Sequence, residues 1–357
     1  MDKDTFSARR ERLRRLMHEE KLDTLLVSLP ANRFYLSGFE LHDCQCNETS
    51  GFLAVRSDGK DWLCTDSRYE EAALSLWDAE RVFIYRGRIA GEMNAFLKSQ
   101  PFGTIGFDAG HLSYGFVRKL EDGLDLTPSE GLVEKLRMVK DDEEIKLIEA
   151  SVRLNHAMLE WLPSRLTPGS SEAAIAWDIE KYYREHGASE LSFPSIVAMD
   201  ENAALPHYSP EHPAVLKDGC QVLVDEGCRL GNYCSDQTRT YWIGGTPAPW
   251  FSEMLSRVKE AQRRAIAALR PGITGSQAHG IAAGYFTSCG VSRYFTHSLG
   301  HGVGLDTHEG PRLGPFSNDV LQPGMIVTIE PGLYYPGRGG ARWEHMAVIT
   351  EEGCRVL

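Results

Sequence analysis

Three histidines interleaved with glycines occupy one short stretch of the chain: His297, Gly300, His301, Gly302, Gly304 and His308. Because each glycine costs about 1 kcal/mol relative to alanine in a helix interior, the stretch is not typical of a helix. Glycine also allows backbone segments to approach closely. We therefore predict a tight, irregular segment that delivers imidazoles to one place, with a polar surface loop as the alternative. The zinc-protease motif HExxH is excluded, because Ser298 stands where that motif has glutamate.

Four carboxylates lie in comparable settings on either side of the histidines: Asp225, Asp236, Glu330 and Glu344. Asp225 follows Val-Leu-Val and Glu330 follows Ile-Val-Thr-Ile, so each ends an apolar run typical of a buried strand. Burying a carboxylate there is costly unless it is paired or bound to a metal. A solvated strand end is the alternative for each acid alone, but the repeated arrangement favours a shared site.

These residue types indicate a metal-assisted hydrolysis. Four carboxylates and an imidazole are mostly hard ligands, which suit Mn²⁺, Co²⁺, Fe²⁺ or Zn²⁺. Their combined negative charge would balance two divalent ions. Two such ions about 3.5–4 Å apart can share a bridging water, lower its pKa and supply hydroxide at neutral pH, while one of them polarises a carbonyl. The reaction class is hydrolysis of an amide or an ester.

Composition excludes several other classes of protein. The chain has 357 residues, 42% of them hydrophobic, and a formal net charge of −12, which disfavours a nucleic-acid partner. Two divalent ions would bring −12 to −8. We find no apolar signal core and no apolar run of roughly 18 residues, and therefore expect no membrane association. The eight cysteines form no CxxC pair, which indicates reduced thiols and a cytoplasmic location.

The predicted elements place the carboxylates in the second of two domains. Short strands and helices alternate from Thr24 to Phe107, which indicates an α/β domain with a mixed or parallel sheet. We place the boundary at 133/134, ahead of a long helix that reaches about Trp161. Further predicted elements are a helix from Ser170 to about His186, strands Ser192–Met199, Gln221–Asp225 and Asn232–Ile243, helices at about 249–269 and 274–288, and strands Met325–Gly332 and Ala341–Thr350. The second domain is therefore roughly duplicated, with helices and then an acid-bearing strand pair in each half.

The ordered motifs resemble those of the proline-specific metallopeptidases, aminopeptidase P and prolidase. The motifs are Val224-Asp225-x-Gly227, Ser235-Asp236-x-Thr238-Arg239-Thr240, His297-x3-His301-Gly-x-Gly-x3-His308-Glu309, Thr328-x-Glu330-Pro331-Gly332 and Arg342-x-Glu344. Asn32–Phe39 and Thr65–Tyr69 resemble the amino-terminal domain of the same family. The resemblance implies the pita-bread fold, which methionine aminopeptidase and creatinase share.

The resemblance implies five metal ligands: Asp225, Asp236, His301, Glu330 and Glu344. Asp236 and Glu344 would bridge two divalent ions. Asp225 would complete the ligands of one ion, and His301 and Glu330 those of the other. Glu330 would also take the proton from the attacking water. Manganese is the first expectation for the metal, with cobalt, zinc or iron as alternatives.

The resemblance also implies roles for residues around the ions. His308 and His297 match histidines that contact the substrate carbonyl and stabilise the tetrahedral intermediate. His207 matches a substrate-side histidine, with a capped loop residue as the alternative. Arg342 and Tyr334 match supporting positions. For Arg342, an ion pair with a ligand and a contact to the substrate are both open.

We therefore predict an α/β (α+β) protein of two domains. Residues 1–133 would form a creatinase-like amino-terminal domain, and residues 134–357 a pita-bread catalytic domain with pseudo-twofold halves. The predicted function is hydrolysis of the Xaa-Pro bond in peptides or dipeptides, with metal-bridged hydroxide as the nucleophile and a homodimer as the expected assembly. The alternatives are a hydrolase of this fold that acts on a non-proline peptide or another C–N bond, and a non-catalytic binding protein. The choice between aminopeptidase P and prolidase depends on recognition of a free substrate carboxylate, which the sequence does not show.

Two features depart from the family pattern. His345 follows Glu344 where the family usually has aspartate, and such neighbours of a ligand can change metal affinity or activity by about 10–100-fold. His42, Cys44 and Cys46 form a weak metal-binding pattern, for which spectator thiols are the favoured interpretation.

Overall fold

The computed structural model describes residues 3–43, 48–209 and 214–357, and the chain divides into two compact units, Met1–Arg137 and Met138–Leu357. The described α-helices are α1 Lys3–Glu19, α2 Pro30–Ser37, α3 Glu70–Leu76, α4 Ile89–Ser99, α5 Tyr114–Leu120, α6 Leu132–Met138, α7 Asp142–Trp161, α8 Glu172–Glu185, α9 Pro249–Ala268 and α10 Gly275–Ser288. Short 3₁₀ helices span Ala79–Arg81, Leu162–Ser164, Asp200–Ala204 and Ser292–Tyr294. None of the helices described combines the length and the apolar composition of a membrane span.

The strands of the first unit are β1 Thr24–Val27, β2 Phe52–Arg56, β3 Trp62–Asp66, β4 Val82–Tyr85, β5 Ile105–Asp108 and β6 Leu126–Ser129. They form one sheet in the order β4-β3-β2-β1-β5-β6. β1 pairs antiparallel with β2 and parallel with β5, so the sheet is mixed, as predicted. All four residues of β1 are buried, which explains its continuous apolar sequence.

The strands of the second unit are β7 Glu190–Leu191, β8 Ile196–Met199, β9 Cys220–Glu226, β10 Cys228–Leu230, β11 Tyr233–Cys234, β12 Gln237–Ile243, β13 Gly300–Gly302, β14 Glu309–Leu313, β15 Ile326–Ile329, β16 Gly332–Tyr335, β17 Gly339–Arg342, β18 His345–Ile349 and β19 Cys354–Val356. Two sheets carry the predicted acids, one in the order β12-β9-β8 and the other β14-β13-β15-β18-β19. The core of the first half joins α7 and α8 to β8 and β9, and that of the second half joins α9 and α10 to β15 and β18. This repetition confirms the predicted duplication.

Local sequence explains where the long helices begin. The side chain of Asp141 accepts hydrogen bonds from the backbone N–H groups of Glu143 and Glu144. In turn, the side chain of Glu144 accepts a hydrogen bond from the backbone N–H of Asp141. Thr274 and Gln277 form the same reciprocal cap on α10. Such caps pair N–H groups that have no partner within the helix.

Five predictions of local structure were wrong. Asn232–Ile243 is not one strand, because β11 ends at Cys234 and β12 begins at Gln237. A Cβ added at Gly227 would lie 2.0 Å from the carbonyl oxygen of Ser235, so these two segments are in close contact. Ser192–Met199 is a strand only from Ile196, since Pro194 cannot donate to a ladder. Met325–Gly332 and Ala341–Thr350 are each interrupted, the first at Glu330–Pro331 and the second at Trp343–Glu344. Gly300–Gly302 forms strand β13, although the prediction of a non-helical segment is confirmed.

Candidate metal centre

The four predicted carboxylates sit at the ends of two antiparallel strand pairs. Asp225 lies near the end of β9, and Asp236 directly precedes β12, which pairs with β9. Glu330 directly follows β15, and Glu344 directly precedes β18, which pairs with β15. Antiparallel pairing therefore brings the acids of each pair to the same end of their sheet. The backbone N–H of Glu344 donates to the carbonyl oxygen of Thr238 in β12 at 3.2 Å, which joins the two pairs.

The ligand atoms of these residues converge. One oxygen each from Asp225, Asp236 and Glu344 lies within 4.8 Å of the others, and so do ligand atoms of Asp236, His301 and His308. The Nε2 atom of His301 lies 3.3 Å from Oε1 of Glu330 and 3.6 Å from Oδ2 of Asp236. The fold thus brings together all five residues predicted to bind metal, and Asp236 belongs to both clusters.

The glycines beside His301 are required by close backbone contacts. A Cβ added at Gly300 would lie 2.0 Å from the carbonyl oxygen of Thr328, and one at Gly302 would lie 2.0 Å from that of Gly310. Both distances are far below a normal contact, so a side chain would push β13 away from its neighbours. The glycines therefore allow β13 to hold the His301 ring against the carboxylates.

The orientation of His301 fits a metal ligand. Its Nδ1 lies 3.0 Å from the carbonyl oxygen of Gly302, so Nδ1 carries the proton and donates it. Burial, followed by the nearby His308, lowers the pKa of His301 to about 4, which leaves the ring neutral at pH 7. The Nε2 lone pair then points at oxygens of Asp236 and Glu330, an arrangement that is repulsive unless a proton or a cation lies between these atoms. A backbone carbonyl that fixes the tautomer in this way is typical of metal-binding histidines.

The electrostatics of the carboxylates also fit bound cations. Burial and the neighbouring carboxylates raise the pKa of Asp236 and of Glu344 well above their ordinary values. Burial raises the pKa of Glu330 to about 8. Oδ1 of Asp225 and Oε1 of Glu344 are buried and accept no hydrogen bond from any described residue. Buried carboxylate oxygens without donors are costly, and divalent cations would satisfy them.

Arg342 makes an ion pair with a predicted ligand. Its NH2 group donates to Oδ2 of Asp225 at 2.6 Å, and its Nε donates to the hydroxyl of Thr238 at 2.9 Å. Its NH1 group donates to the hydroxyl of Tyr334 at 2.6 Å. Of the two possibilities open for Arg342, the structure shows the ion pair, which fixes the side chain of Asp225.

Tyr334 links Arg342 to His297. The Tyr334 hydroxyl accepts from Arg342 and lies 2.9 Å from Nε2 of His297, to which it can donate. The Nδ1 atom of His297 lies 2.7 Å from the carbonyl oxygen of Ser298, so both ring nitrogens have protein partners. Burial, followed by Arg342, lowers the pKa of His297 to about 3. The predicted contact between His297 and substrate stays a prediction.

A cavity of about 620 Å³ opens over the carboxylate cluster. The predicted site residues along its wall are His207, Asp225, Asp236, His297, His301, His308, Glu330 and Arg342. The side chains of Glu344 and Tyr334 are buried. Burial, followed by His207, lowers the pKa of His308, so this ring is neutral at pH 7.

Sequence reasoning did not identify two polar residues at this cavity. Arg312 lines it, its side chain is exposed, and it makes no ion pair with a described carboxylate. Glu172 is fully buried and holds the wall that contains His207, since its carboxylate accepts from the N–H of Met199 at 2.7 Å and from the hydroxyl of Tyr208 at 2.8 Å. Arg312 follows His308 by four positions, so its closeness to the histidines was a signal in the sequence. Glu172 gave no signal, because an acid at the start of a helix is expected from the helix dipole alone.

The departures from the family pattern have different outcomes. His345 lies outside the cavity wall, where burial, followed by Arg239, lowers its pKa to about 4. Cys44 and Cys46 lie outside the described residues. The six cysteines that the structure characterises are free thiols.

Comparison with known proteins identifies the family. Residues 146–351 match the model of metallopeptidase family M24, and residues 9–139 match that of the creatinase/prolidase N-terminal domain. The chain is 34% identical to the uncharacterised peptidase YqhT of Bacillus subtilis, over 97% of this chain and 96% of that protein. It is 31% identical to the Xaa-Pro dipeptidase of Pyrococcus furiosus, covering 98% of this chain and 97% of that protein.

A comparison of structures agrees with the sequence matches. The solved Xaa-Pro dipeptidase from Bacillus anthracis superposes with a TM-score of 0.91 at 34% identity, and the match covers 98% of this chain and 97% of that one. The predicted fold class, a creatinase-like domain followed by a pita-bread domain, is confirmed. The chain is an enzyme of metallopeptidase family M24 that carries a creatinase/prolidase N-terminal domain.

Proposed function

We propose that this enzyme is a dinuclear metallopeptidase that hydrolyses the bond preceding proline. The observation that carries the proposal is the unprotonated Nε2 of His301 facing oxygens of Asp236 and Glu330 within a buried carboxylate cluster. The names of two relatives, the Xaa-Pro dipeptidases of Pyrococcus furiosus and Bacillus anthracis, support the proline specificity.

Five residues would hold two divalent ions: Asp225, Asp236, His301, Glu330 and Glu344. Asp236 contributes to both clusters of ligand atoms, which supports its proposed position between the ions. When bound, such a pair of ions lowers the pKa of a water molecule and polarises the scissile carbonyl. Manganese is the metal we propose first, with cobalt, zinc or iron as alternatives.

Glu330 is the proposed proton acceptor. Its Oε1 accepts a hydrogen bond from the hydroxyl of Thr328 at 3.1 Å and also faces His301. The other oxygen, Oε2, remains to take a proton from the attacking water and return it to the leaving amine.

The histidines of the cavity wall are proposed to act on the substrate carbonyl. His308 is neutral at pH 7, since burial and His207 lower its pKa, and one of its ring nitrogens can then donate a hydrogen bond. A donor placed where negative charge develops is worth about 10²–10³ in rate. We assign His308, His297 and His207 to this side of the site, and the Tyr334 hydroxyl lies 2.9 Å from Nε2 of His297.

The cavity also offers a basis for substrate selection. Phe193, Pro194, Ile196 and Pro206 line it and provide an apolar surface for the proline ring. Arg312 lines the same cavity without a described carboxylate partner and can pair with the free carboxylate of a dipeptide. This observation favours the dipeptidase form over the aminopeptidase P form.

Product analysis tests both parts of the proposal. Protein loaded with Mn²⁺ is incubated with Ala-Pro, Ala-Pro amide, Ala-Pro-Ala and Ala-Ala-Ala, with and without EDTA, and products are measured by mass spectrometry. We expect EDTA-sensitive cleavage of Ala-Pro and weak cleavage of its amide. Efficient cleavage of Ala-Pro-Ala would instead indicate aminopeptidase P. Equal cleavage of Ala-Ala-Ala would favour a peptidase without proline specificity, and no cleavage would favour another C–N bond or a binding role.

The variant Arg312→Gln tests the proposed carboxylate contact. A hydrogen bond to a charged group contributes about 1.5–3 kcal/mol, so KM for Ala-Pro should rise roughly 10–100-fold, while turnover of Ala-Pro amide stays unchanged. Arg293→Gln is the matched control, because Arg293 is exposed and does not line the cavity. An equal loss on both substrates would contradict the contact.

Assembly and location remain proposals. We propose a homodimer, to be measured by light scattering coupled to gel filtration. We propose a cytoplasmic location, which the free thiols support. Fractionation of the source cells tests it.

A further inference from the structure

Gln262 in α9 contacts the backbone next to two predicted metal ligands. Its side chain is buried, and its Nε2 donates to the carbonyl oxygen of Ile329 at 2.8 Å and to that of Trp343 at 3.0 Å. Ile329 directly precedes Glu330, and Trp343 directly precedes Glu344. One side-chain amide therefore bridges the two chain segments that deliver these carboxylates, and both of its protons are used in doing so.

His345 holds the other end of the same amide. Its Nδ1 lies 3.2 Å from Oε1 of Gln262, and its Nε2 lies 3.1 Å from NH2 of Arg239. Arg239 can only donate, so Nε2 of His345 accepts and Nδ1 carries the proton. The orientation of the amide follows, because a flipped Gln262 would place its oxygen against two carbonyl oxygens.

Arg239 completes the connection to the first half of the unit. Its NH1 group donates to the carbonyl oxygen of Thr238 at 2.9 Å and also to the carbonyl oxygen of Glu344. The guanidinium lies over the Trp343 ring, 4.7 Å from its centroid. The hydrogen bonds thus continue from Gln262 through His345 to Arg239 and return to the backbone of a predicted ligand.

We infer that Gln262 and His345 form a matched pair that sets the positions of Glu330 and Glu344 for metal binding. The inference rests on the proposed function, in that these carboxylates hold the ions. Neither residue touches the cavity, so both are positioning residues. An aspartate at position 345, which the family pattern predicts, would place an acceptor against Oε1 of Gln262. Histidine supplies the donor that this glutamine requires.

Metal titration of the metal-free protein tests the inference without relying on activity. EDTA-treated wild-type protein and the variant Gln262→Met, which keeps the volume but loses the amide, are titrated with MnCl₂ by calorimetry. Residues that orient metal ligands typically change affinity by about 10–100-fold, and we expect a weakening of that size. Lys259→Met is the matched control, because Lys259 lies on the same helix and contacts the Trp343 ring at 3.8 Å without reaching either carbonyl.

A second pair of variants separates positioning from folding. His345→Asn retains a donor that can reach Gln262, whereas His345→Leu retains none, so His345→Asn should keep more of the Mn²⁺ affinity. The melting temperature of each metal-free variant is measured in parallel. If Gln262→Met fails to fold, the comparison at position 345 carries the test.

The outcomes distinguish this inference from the proposed function. Wild-type protein that binds no Mn²⁺ would overturn the proposed function. Wild-type protein that binds Mn²⁺ no better than Gln262→Met would overturn only the positioning pair. A lower melting temperature with unchanged affinity would also overturn it, since the contacts would then serve stability alone. Equal affinities of His345→Asn and His345→Leu would overturn the matching of the two residues.

Discussion

The metal-free enzyme should lose stability as the pH rises from 7.5 to 9. Burial raises the pKa of Glu330 from 4.5 to about 8, and burial with neighbouring carboxylates raises the pKa of Asp236 and Glu344 well above the ordinary range. A carboxyl with a higher pKa in the folded protein than in the unfolded chain binds more protons in the folded state. Its contribution to stability is full below the unfolded pKa and is lost as the pH rises through the folded pKa.

The window begins at pH 7.5 because buried histidines act in the opposite direction below it. Burial lowers the pKa of His297 to about 3 and those of His301 and His345 to about 4. Below their ordinary pKa of 6.5, these histidines take up protons on unfolding, so the fold loses stability as the pH falls. Above about pH 7.5 these histidines are almost entirely neutral in both states, and the carboxylates determine the slope.

The size of the effect follows from the pKa of Glu330. One pH unit corresponds to about 1.4 kcal/mol while only the folded state is protonated, and less as the pH passes the folded pKa, so the unfolding free energy should fall by about 0.8 kcal/mol between pH 7.5 and 9 through Glu330 alone. For a domain of this size, that is a fall in Tm of roughly 2–3 °C. Asp236 and Glu344 act in the same direction. Scanning calorimetry of EDTA-treated protein at constant ionic strength measures the change.

Two comparisons make this prediction specific. With Mn²⁺ present, stability should rise over the same pH range, because metal binding requires deprotonated ligands. The variant Glu330→Gln cannot titrate at this position, so its metal-free profile should be flatter than that of the wild type. A wild-type Tm that stays constant or rises without metal would refute the reasoning, since the carboxylates would then be ionised in the fold without a cation.

Three further substitutions probe the surroundings of the site. Replacing Arg342 by Met should lower the unfolding free energy of the metal-free protein by about 3–5 kcal/mol, because Asp225 loses its buried partner; an unchanged urea midpoint would contradict the ion pair. Replacing His308 by Asn should lower kcat for Ala-Pro by about 10²–10³ with metal content unchanged, whereas loss of a metal ion would make His308 a ligand. Replacing Glu172 by Ala should lower the unfolding free energy by about 1–3 kcal/mol, because the buried donors Met199 N–H and Tyr208 O–H lose their acceptor. It should also raise KM, because the cavity wall that carries His207 loses its support. A KM equal to that of the wild type would show that this wall keeps its position without Glu172.

The sequence indicated the candidate ligands because each lies in a local pattern with a physical cause. Asp225 and Glu330 follow apolar runs that form buried strands, as the period of the sequence predicts. The glycines around His301 predicted close backbone contact, which the 2.0 Å clearances at Gly300 and Gly302 confirm. These features depend on neighbours in the chain, so they can be read without the fold.

Local patterns were less informative where the backbone leaves a ladder. The break at Ser235 and Asp236 depends on close contact with Gly227, and the same break places the Asp236 side chain in the metal cluster. The strand predicted over Ser192–Met199 likewise gives way before Ile196, where the chain contributes Phe193 and Pro194 to the cavity wall. At Ser235 and Asp236 the packing of neighbouring segments ends the strand, whereas Pro194 ends the other ladder because proline has no N–H to donate.

By itself, the sequence determined the residue types, their order and the strands and helices that carry them, because these follow from short-range periodicity, capping and chain stiffness. Only the tertiary structure decided which side chains contact the candidate ligands. Arg342 contacts Asp225 across 117 positions of sequence, and His345 contacts Arg239 across 106. Such partners come from separate strand pairs, and their hydrogen bonds exist only after both pairs have packed together. The sequence alone therefore left two possible roles open for Arg342 and identified no contact partner for His345.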